Sequence, residues 1–498
     1  MKKTTVLVLL ALCASCAASQ ATKKNLKKGD VNSSQKPMFG EKNPRAAEEP
    51  ILPPHPEAST ATAIVGATVM IGNGKRIENG SLVFQGRKIL AVGKTSDIKV
   101  PAEARVVDGK GLFITPGLID THSHLGVYAT PHVRATADGN EMTDPTTPYV
   151  FSEHAFWPQD PGLRTAVMGG TTTILVLPGS GNVIGGRAVV LQLDPRRETR
   201  AMRFHQAPFG LKMACGENPK RVYGSKGRQP MSRMGSISIL RRKFIKAQAY
   251  RHAQRVHAHE RAEWLKKYEK AKDESGDDKK LGKEPFGPAR DVGLETLADV
   301  LDGKIKVHIH CYRADEMLQM IALSKELGFK ISSFHHATSA YKIADVLAKE
   351  DIAASMWADW WGFKLEAWDA VEENVAMVSA AGGRAIVHSD SEIGIQRLNQ
   401  EASKALHSGR RAGLDIDEDQ ALQWITLNPA QALGIDKLTG TLAPGKFADV
   451  VIWDKNPFSI YAKTQSVFIQ GRKVFSRQDP PQAWSDFLVG TSVEEVNP

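Results

Sequence analysis

The stretch TPGLIDTHSHLG near residue 115 sets His122 and His124 one residue apart at the end of an apolar run. In an extended chain alternate side chains share a face, so Asp120, His122 and His124 project together, and two imidazoles on one face can grip one ion. Taken alone, the pair is weak evidence for a metal, because His-x-His also occurs on surface strands. Its company decides. His308 and His310 stand in IKVHIHCY, His335 and His336 in ISSFHHA, His388 and Asp390 in RAIVHSD, and Lys212 and Glu217 in PFGLKMACGENP. Of 15 histidines in 498 residues, seven close strand-like apolar runs together with an aspartate. Nitrogen and carboxylate ligands gathered at strand ends suit Zn²⁺ or a similar divalent ion, one or two in number, with water completing the shell.

Something must bring these distant residues together. From about Pro116 to Leu433, apolar runs such as TTTILVLPG and RAIVHSD alternate with helical patterns such as DEMLQMIALSKELG. That alternation predicts an α/β fold, a closed (β/α)8 barrel of the TIM type over 116–433, with the site at the C-terminal ends of its strands. Short strand-like runs over 61–115 (AIVGATVMI, SLVFQGRKILAVG) are matched by FADVVIWD and SVFIQGRKVF within 434–480. Each set is too small to stand alone, so they are expected to pair into one composite β-sandwich domain from both ends of the chain. A densely charged stretch at about 258–288 breaks the alternation and reads as a surface insertion, or as a lid.

The N-terminus carries Lys2, Lys3, a short apolar run and small residues, an export signal over residues 1–19. Residues 20–60 lack an apolar period and read as a disordered tether. Cys16 is a candidate lipid-attachment site. The expected location is therefore exported: periplasmic, secreted or lipid-anchored in a bacterium. No later segment has the length of apolar chain that spans a bilayer. Cys13 and Cys16 fall in the leader region, leaving Cys215 and Cys311, from which no disulfide framework is expected. The formal charge of +10 is dispersed, without a basic stripe interleaved with aromatics, which argues against a nucleic-acid partner. A small-molecule substrate is expected, and self-association into a homo-oligomer is left open.

PGLIDTHSHL, GGTTTILVLPGS, the strand-end histidines, HSDS, TLNPAQALGI and TGTLAPGKFADVVIWD resemble the metal-dependent amidohydrolase superfamily, in particular its imidazolonepropionase-like and dipeptidase-like branch, over about residues 64 to 475. The resemblance implies that His122 and His124 are first-strand ligands, His310 the fifth-strand ligand and His336 the sixth. Asp390 matches the eighth-strand carboxylate that is both ligand and proton shuttle. The bridging position has two candidates: Lys212, whose burial in an apolar run would favour a neutral amine able to take up CO₂ and become carboxylated, and Glu217. His308, on the face of His310, would support a ligand or face substrate; His335 would point away and pack; His388 would shape the site.

The implied chemistry is attack of a metal-bound hydroxide on a carbonyl or amidine carbon, with Asp390 moving the proton to the leaving nitrogen and a carbon–nitrogen bond hydrolysed. An amide, peptide-like or cyclic-amide substrate is expected; the alternatives are a deaminase on the same scaffold and a non-catalytic ligand-binding surface lipoprotein. Arg313 could clamp a substrate carboxylate or pair with Asp315 or Glu316. Asn182, in the glycine-rich segment PGSGNVIGGR (178–187) read as a substrate loop, could donate to a substrate carbonyl. Trp357, Trp360 and Trp361 could wall the pocket or pack on the barrel rim.

Overall fold

The computed structural model describes residues 60–275, 282–360 and 362–479. The expected leader, Cys16 and the tether up to residue 59 lie outside the described residues, as do Trp361 and 276–281 of the charged insertion. The first five strands are β1 (Thr62–Met70), β2 (Arg76–Gln85), β3 (Lys88–Lys94), β4 (Arg105–Asp108) and β5 (Phe113–Pro116). Eight more follow: β6 (Leu118–Ser123), β7 (Thr171–Val176), β8 (Ile184–Gln192), β9 (Gly210–Ala214), β10 (Lys306–Cys311), β11 (Ile331–His336), β12 (Ala353–Met356) and β13 (Ala385–Val387). The last three are β14 (Val450–Trp453), β15 (Thr464–Ile469) and β16 (Arg472–Ser476).

The two ends of this series make one sheet. Its order is β16, β15, β14, β5, β1, β2, β3, with β4 on β1, and the junction between the N- and C-terminal contributions is the antiparallel pair Val450 with Pro116 through Trp453 with Phe113. Ile64, Leu82, Phe84, Ile114, Val450 and Ile452 form its buried face. The middle eight strands pair in sequence order, β6 to β13, as the barrel.

The barrel departs from the expected all-parallel form at its third strand. β8 runs antiparallel to both β7 and β9. Two antiparallel neighbours need only a short connection, whereas a parallel pair needs a crossover helix, so no helix intervenes between β7 and β8. Much of the segment 178–187 is therefore not a loop: from Ile184 onward it is barrel strand. Its glycines are the reason it reads as a loop. Gly186 has φ +125°, and a Cβ there would stand 2.5 Å from the Val150 carbonyl oxygen.

Between β9 and β10 lies a helix of 43 residues, Arg233–Ser275. Its first turns bury Leu240, Phe244 and Ala247, and Phe244 stacks on Phe329 at 4.5 Å. From Arg251 to Ala271 no residue is buried. The described part of the charged segment expected as an insertion thus begins as the continuation of a helix rooted in the core. Among the described residues no helix is long and apolar enough to cross a membrane.

Contrary to the expectation from the cysteine count, Cys215 and Cys311 form a disulfide. The parallel register of β9 and β10 pairs Ala214 with His310, so the next residue on each strand meets its counterpart, with Cα atoms 5.3 Å apart. A sequence separation of 96 hides that adjacency. Closing so long a loop restricts the unfolded chain, and such links are worth about 2–4 kcal/mol. Cys215→Ser with Cys311→Ser should therefore lower the unfolding free energy by about that amount in urea titrations followed by circular dichroism; an unchanged midpoint would show that the link adds nothing to stability.

Candidate active site

The first and last barrel strands, β6 and β13, share no ladder. A carboxylate joins them. Asp120 Oδ1 accepts the backbone N–H of His122 at 2.9 Å and that of Ser389 at 3.2 Å, and its Oδ2 accepts the Ser389 hydroxyl. The Asp390 N–H then donates to the His122 carbonyl at 3.0 Å. Burial pushes the Asp120 carboxyl up to about 6, against the pull of those donors.

At this seam the ligand candidates converge. His122 Nε2 and His124 Nε2 are 3.3 Å apart, and Asp390 Oδ1 lies 3.5 Å from the first and 3.3 Å from the second. His124 Nδ1 donates to the Leu177 carbonyl at 2.8 Å. A neutral imidazole has one N–H, so His124 Nε2 is a bare lone pair facing the cluster. Lys212, wholly buried in β9, brings Nζ to 3.4 Å from His122 Nε2.

The sixth strand ends with a change of direction. His336 has φ +69° and Ala337 φ +40°. Strict alternation would send His335 and His336 to opposite faces; the turn into the left-handed region lets both reach His122, whose ring centroid is 4.9 Å from His335 and 4.7 Å from His336. His310 packs at 4.6 Å from His336, and its Nε2 accepts from Asn218 at 3.4 Å. His388 Nε2 accepts the His336 backbone N–H at 3.3 Å. Among the described residues two overlapping sets place one ligand atom from each member within 4.8 Å of the others: His122, His336 and His388, and His122, His124 and Asp390. The first set brings in His388, read from the sequence only as a neighbour.

Burial sets the electrostatics. It holds His122, His310 and His336 well below the ordinary imidazole range and His124 and His388 at about 3, so all are neutral. Desolvation lowers the Lys212 ammonium to about 8 and raises the Asp390 carboxyl to about 7.

The chain matches the Amidohydrolase family over residues 113–474. It belongs to that family. An amidohydrolase from Thermotoga maritima MSB8 superposes with a TM-score of 0.71 at 32% identity, over 84% of this chain and all of that one. The amidohydrolase tasK of Hapsidospora irregularis is 32% identical over 79% of this chain, which spans only 39% of that longer protein. A 5-methylthioadenosine/S-adenosylhomocysteine deaminase from Thermoanaerobacter pseudethanolicus is 24% identical over 76% of this chain and 81% of its own length. This amidohydrolase is thus an enzyme of a family acting on carbon–nitrogen bonds, whose members typically use a divalent metal.

Not every residue singled out in the sequence meets the cluster. Glu217 opens the helix Glu217–Gly224 and pairs with Lys364 at 3.6 Å; of the two bridging candidates only Lys212 reaches the histidines. Arg313 is paired with Asp315 through two hydrogen bonds of 2.9 Å, the second of its two sequence readings. Asn182 is buried and donates to the Glu141 carbonyl and the Thr147 hydroxyl, both at 2.7 Å, while accepting from Tyr223, so it braces loops rather than offering a free amide. His308 is buried and its Nδ1 lies 2.9 Å from Nε2 of His335.

The aromatic rim is real and double in role. Trp357 is buried and stacks on His336 at 4.3 Å; Trp360 stacks on Trp357 at 5.2 Å and is 42% exposed. Two contributors escaped the sequence reading: Tyr312, stacked on His336 at 5.1 Å, and Lys364, whose ammonium lies 3.9 Å over the Tyr312 ring. Tyr312 follows the fifth-strand histidine by two residues and was legible in principle. Lys364 was not, since nothing in its local sequence marks it.

The Asp120 seam yields a direct test. Asp120→Ala strips the acceptor from two buried backbone N–H groups, each worth about 1–3 kcal/mol. It should destabilise the protein by at least about 2 kcal/mol in urea titration, and Asp120→Asn, which keeps one carbonyl acceptor, should cost less. Equal stability of all three proteins would mean that the seam is held elsewhere.

Proposed function

We propose that this enzyme is exported and hydrolyses an amide-type bond, peptide-like or cyclic, in a small molecule, using divalent ions, zinc by preference. His122, His124, His310, His336 and Asp390 would hold them, with Lys212, carboxylated, between two ions. The observation that carries this reading is the approach of His124 Nε2, bare because Nδ1 is committed to Leu177, to Asp390 Oδ1 at 3.3 Å. With Asp390 ionised these are two acceptors, which repel at that distance unless a cation stands between them. The donor set also fits such an ion. Nδ1 of His336 is buried without a hydrogen-bond partner, which is costly for a group with nothing to bind. Mixed imidazole and carboxylate ligation is what zinc takes.

A bound divalent ion would polarise the substrate carbonyl and acidify water towards neutral pH. The chain's own residues do the rest. Asp390, partly exposed at the mouth, is placed to accept a proton from water on its carboxylate and to return it to the leaving nitrogen. Lys212 sits where burial favours the neutral amine needed for carboxylation. Trp357 and Tyr312 flank His336 and keep bulk water from one side of the site. The deaminase among the relatives supports a second reading, removal of ammonia from a ring amidine on the same frame. Export is supported by the Cys215–Cys311 disulfide, a link that persists in oxidising compartments.

The test is metal content and turnover on the same preparation. Elemental mass spectrometry should find two ions per chain, falling on Lys212→Met, and a panel of dipeptides and cyclic amides should be cleaved. Asp390→Asn should lower kcat by ~10²–10⁴. One ion per chain with ammonia released from ring amidines would establish the deaminase instead. Failure to bind zinc or manganese, with bicarbonate present, would overturn both readings.

A further inference from the structure

His335 is not among the proposed metal ligands, yet both of its ring nitrogens are engaged by other histidines. Its Nδ1 lies 2.9 Å from Nδ1 of His122, and its Nε2 lies 2.9 Å from Nδ1 of His308. All three rings are buried, with at most 1% of their surface exposed. From this geometry we propose that His335 is a positioning residue: as the middle member of a three-histidine chain, it fixes which nitrogen of His122 is bare. The histidine chain stands on its own distances; which of its two states is used rests on the hydrolase reading above.

A neutral imidazole carries one N–H donor and one lone-pair acceptor. Two hydrogen bonds in series through the middle ring therefore allow only two proton arrangements. In the first, His122 donates from Nδ1, His335 donates from Nε2, and His308 carries its proton on Nε2. In the second, every proton is on the other nitrogen. A ring that changed alone would set two N–H groups or two lone pairs against each other across 2.9 Å of buried space, leaving buried polar groups unpaired. The three tautomers are thus one two-state variable.

The first arrangement leaves His122 Nε2 bare, pointing at the bare Nε2 of His124 and at the Lys212 amine. The second puts a proton on His122 Nε2, where it blocks ligation. Metal-ligating histidines generally donate their second N–H to a carboxylate or carbonyl, which fixes ring and tautomer together. Here a histidine takes that place, and His308, assigned from sequence to substrate or ligand support, acts as the far anchor of the chain.

The test combines zinc affinity, by competition with a chromophoric chelator, with ¹⁵N imidazole spectra of histidine-labelled protein. In zinc-loaded protein His335 and His308 should both be protonated on Nε2; in metal-free protein they should share one tautomer, whichever it is. His335→Phe, which can neither accept nor donate, should weaken zinc binding ~10–100-fold. His335→Gln, whose carboxamide can accept from His122 and donate to His308, should recover most of the loss, which mere filling of space would not do. Opposite tautomers on His335 and His308, or wild-type zinc affinity in His335→Phe, would overturn the proposal. If wild-type protein binds no metal, the hydrolase reading fails while the shared tautomer of metal-free protein still decides the chain; should the phenylalanine variant not fold, the wild-type spectra decide it.

Discussion

The structure hangs on the carboxylate of Asp120. A barrel whose first and last strands share no ladder would be an open sheet with two exposed edges. Asp120 closes it by accepting the Ser389 N–H and hydroxyl across the gap, while its bond from the His122 N–H on its own strand holds the carboxylate in place and the Asp390 N–H donates to the His122 carbonyl. Because His122 and Asp390 lie within two residues of the atoms so joined, closing the barrel and assembling the ligand cluster are the same act. The cost is a buried carboxyl and the left-handed backbone of Asp390, φ +48°, and of His336, φ +69°. Non-glycine residues in that region carry ~1–3 kcal/mol of strain each and persist only where the surroundings dictate them. Both lie at the mouth of the barrel.

That convergence explains why the cluster tolerates so many buried imidazoles. Burial keeps them neutral, and neutral imidazoles are satisfied by a donor on one nitrogen and an acceptor on the other. His124 uses the Leu177 carbonyl, His122 uses His335, and His388 uses the backbone of His336. Each commitment turns the other nitrogen into a known quantity. The aromatic layer of Tyr312, Trp357 and Trp360 then supplies apolar contact on the open side, so the polarity of the site is concentrated on the seam.

Much of this was legible in the sequence because strand periodicity is strict. Alternation predicted that His122 and His124 share a face, and apolar runs ending in histidine marked where strands stop. The reversal of β8 was hidden because Gly185 and Gly186 resemble a loop, although the run AVVLQ after them is ordinary strand. The Cys215–Cys311 link required knowing that β9 and β10 pair in a particular register, which no local pattern states. Arg313 and Asn182 were plausible donors by type, but their partners decide their use: Asp315 is two residues away and claims the guanidinium, while Tyr223 and Thr147 come from segments distant in sequence. Sequence identifies residues able to do chemistry; packing decides which remain free to do it.

Lys212 shows how the reversed strand and the site depend on each other. Gly185 of β8 faces it, and a Cβ there would meet Lys212 Cγ at 3.5 Å and the Gly179 carbonyl at 3.3 Å. The glycines that disguise the strand thus leave room beside the lysine stem. Among the described residues no carboxylate comes within ion-pair distance of its Nζ, whose closest hydrogen-bonding neighbour is His122 Nε2 at 3.4 Å. Burial lowers its ammonium to about 8 against the pull of the Asp390 carboxylate, a shift in the direction of the neutral, nucleophilic form. Glu217, three residues beyond the strand end, has Lys364 beside it. The choice between the two bridging candidates therefore follows from where β9 ends: Lys212 lies inside the strand and turns its amine into the seam, while Glu217 lies past Gly216, whose φ of +81° has already turned the chain into the next helix.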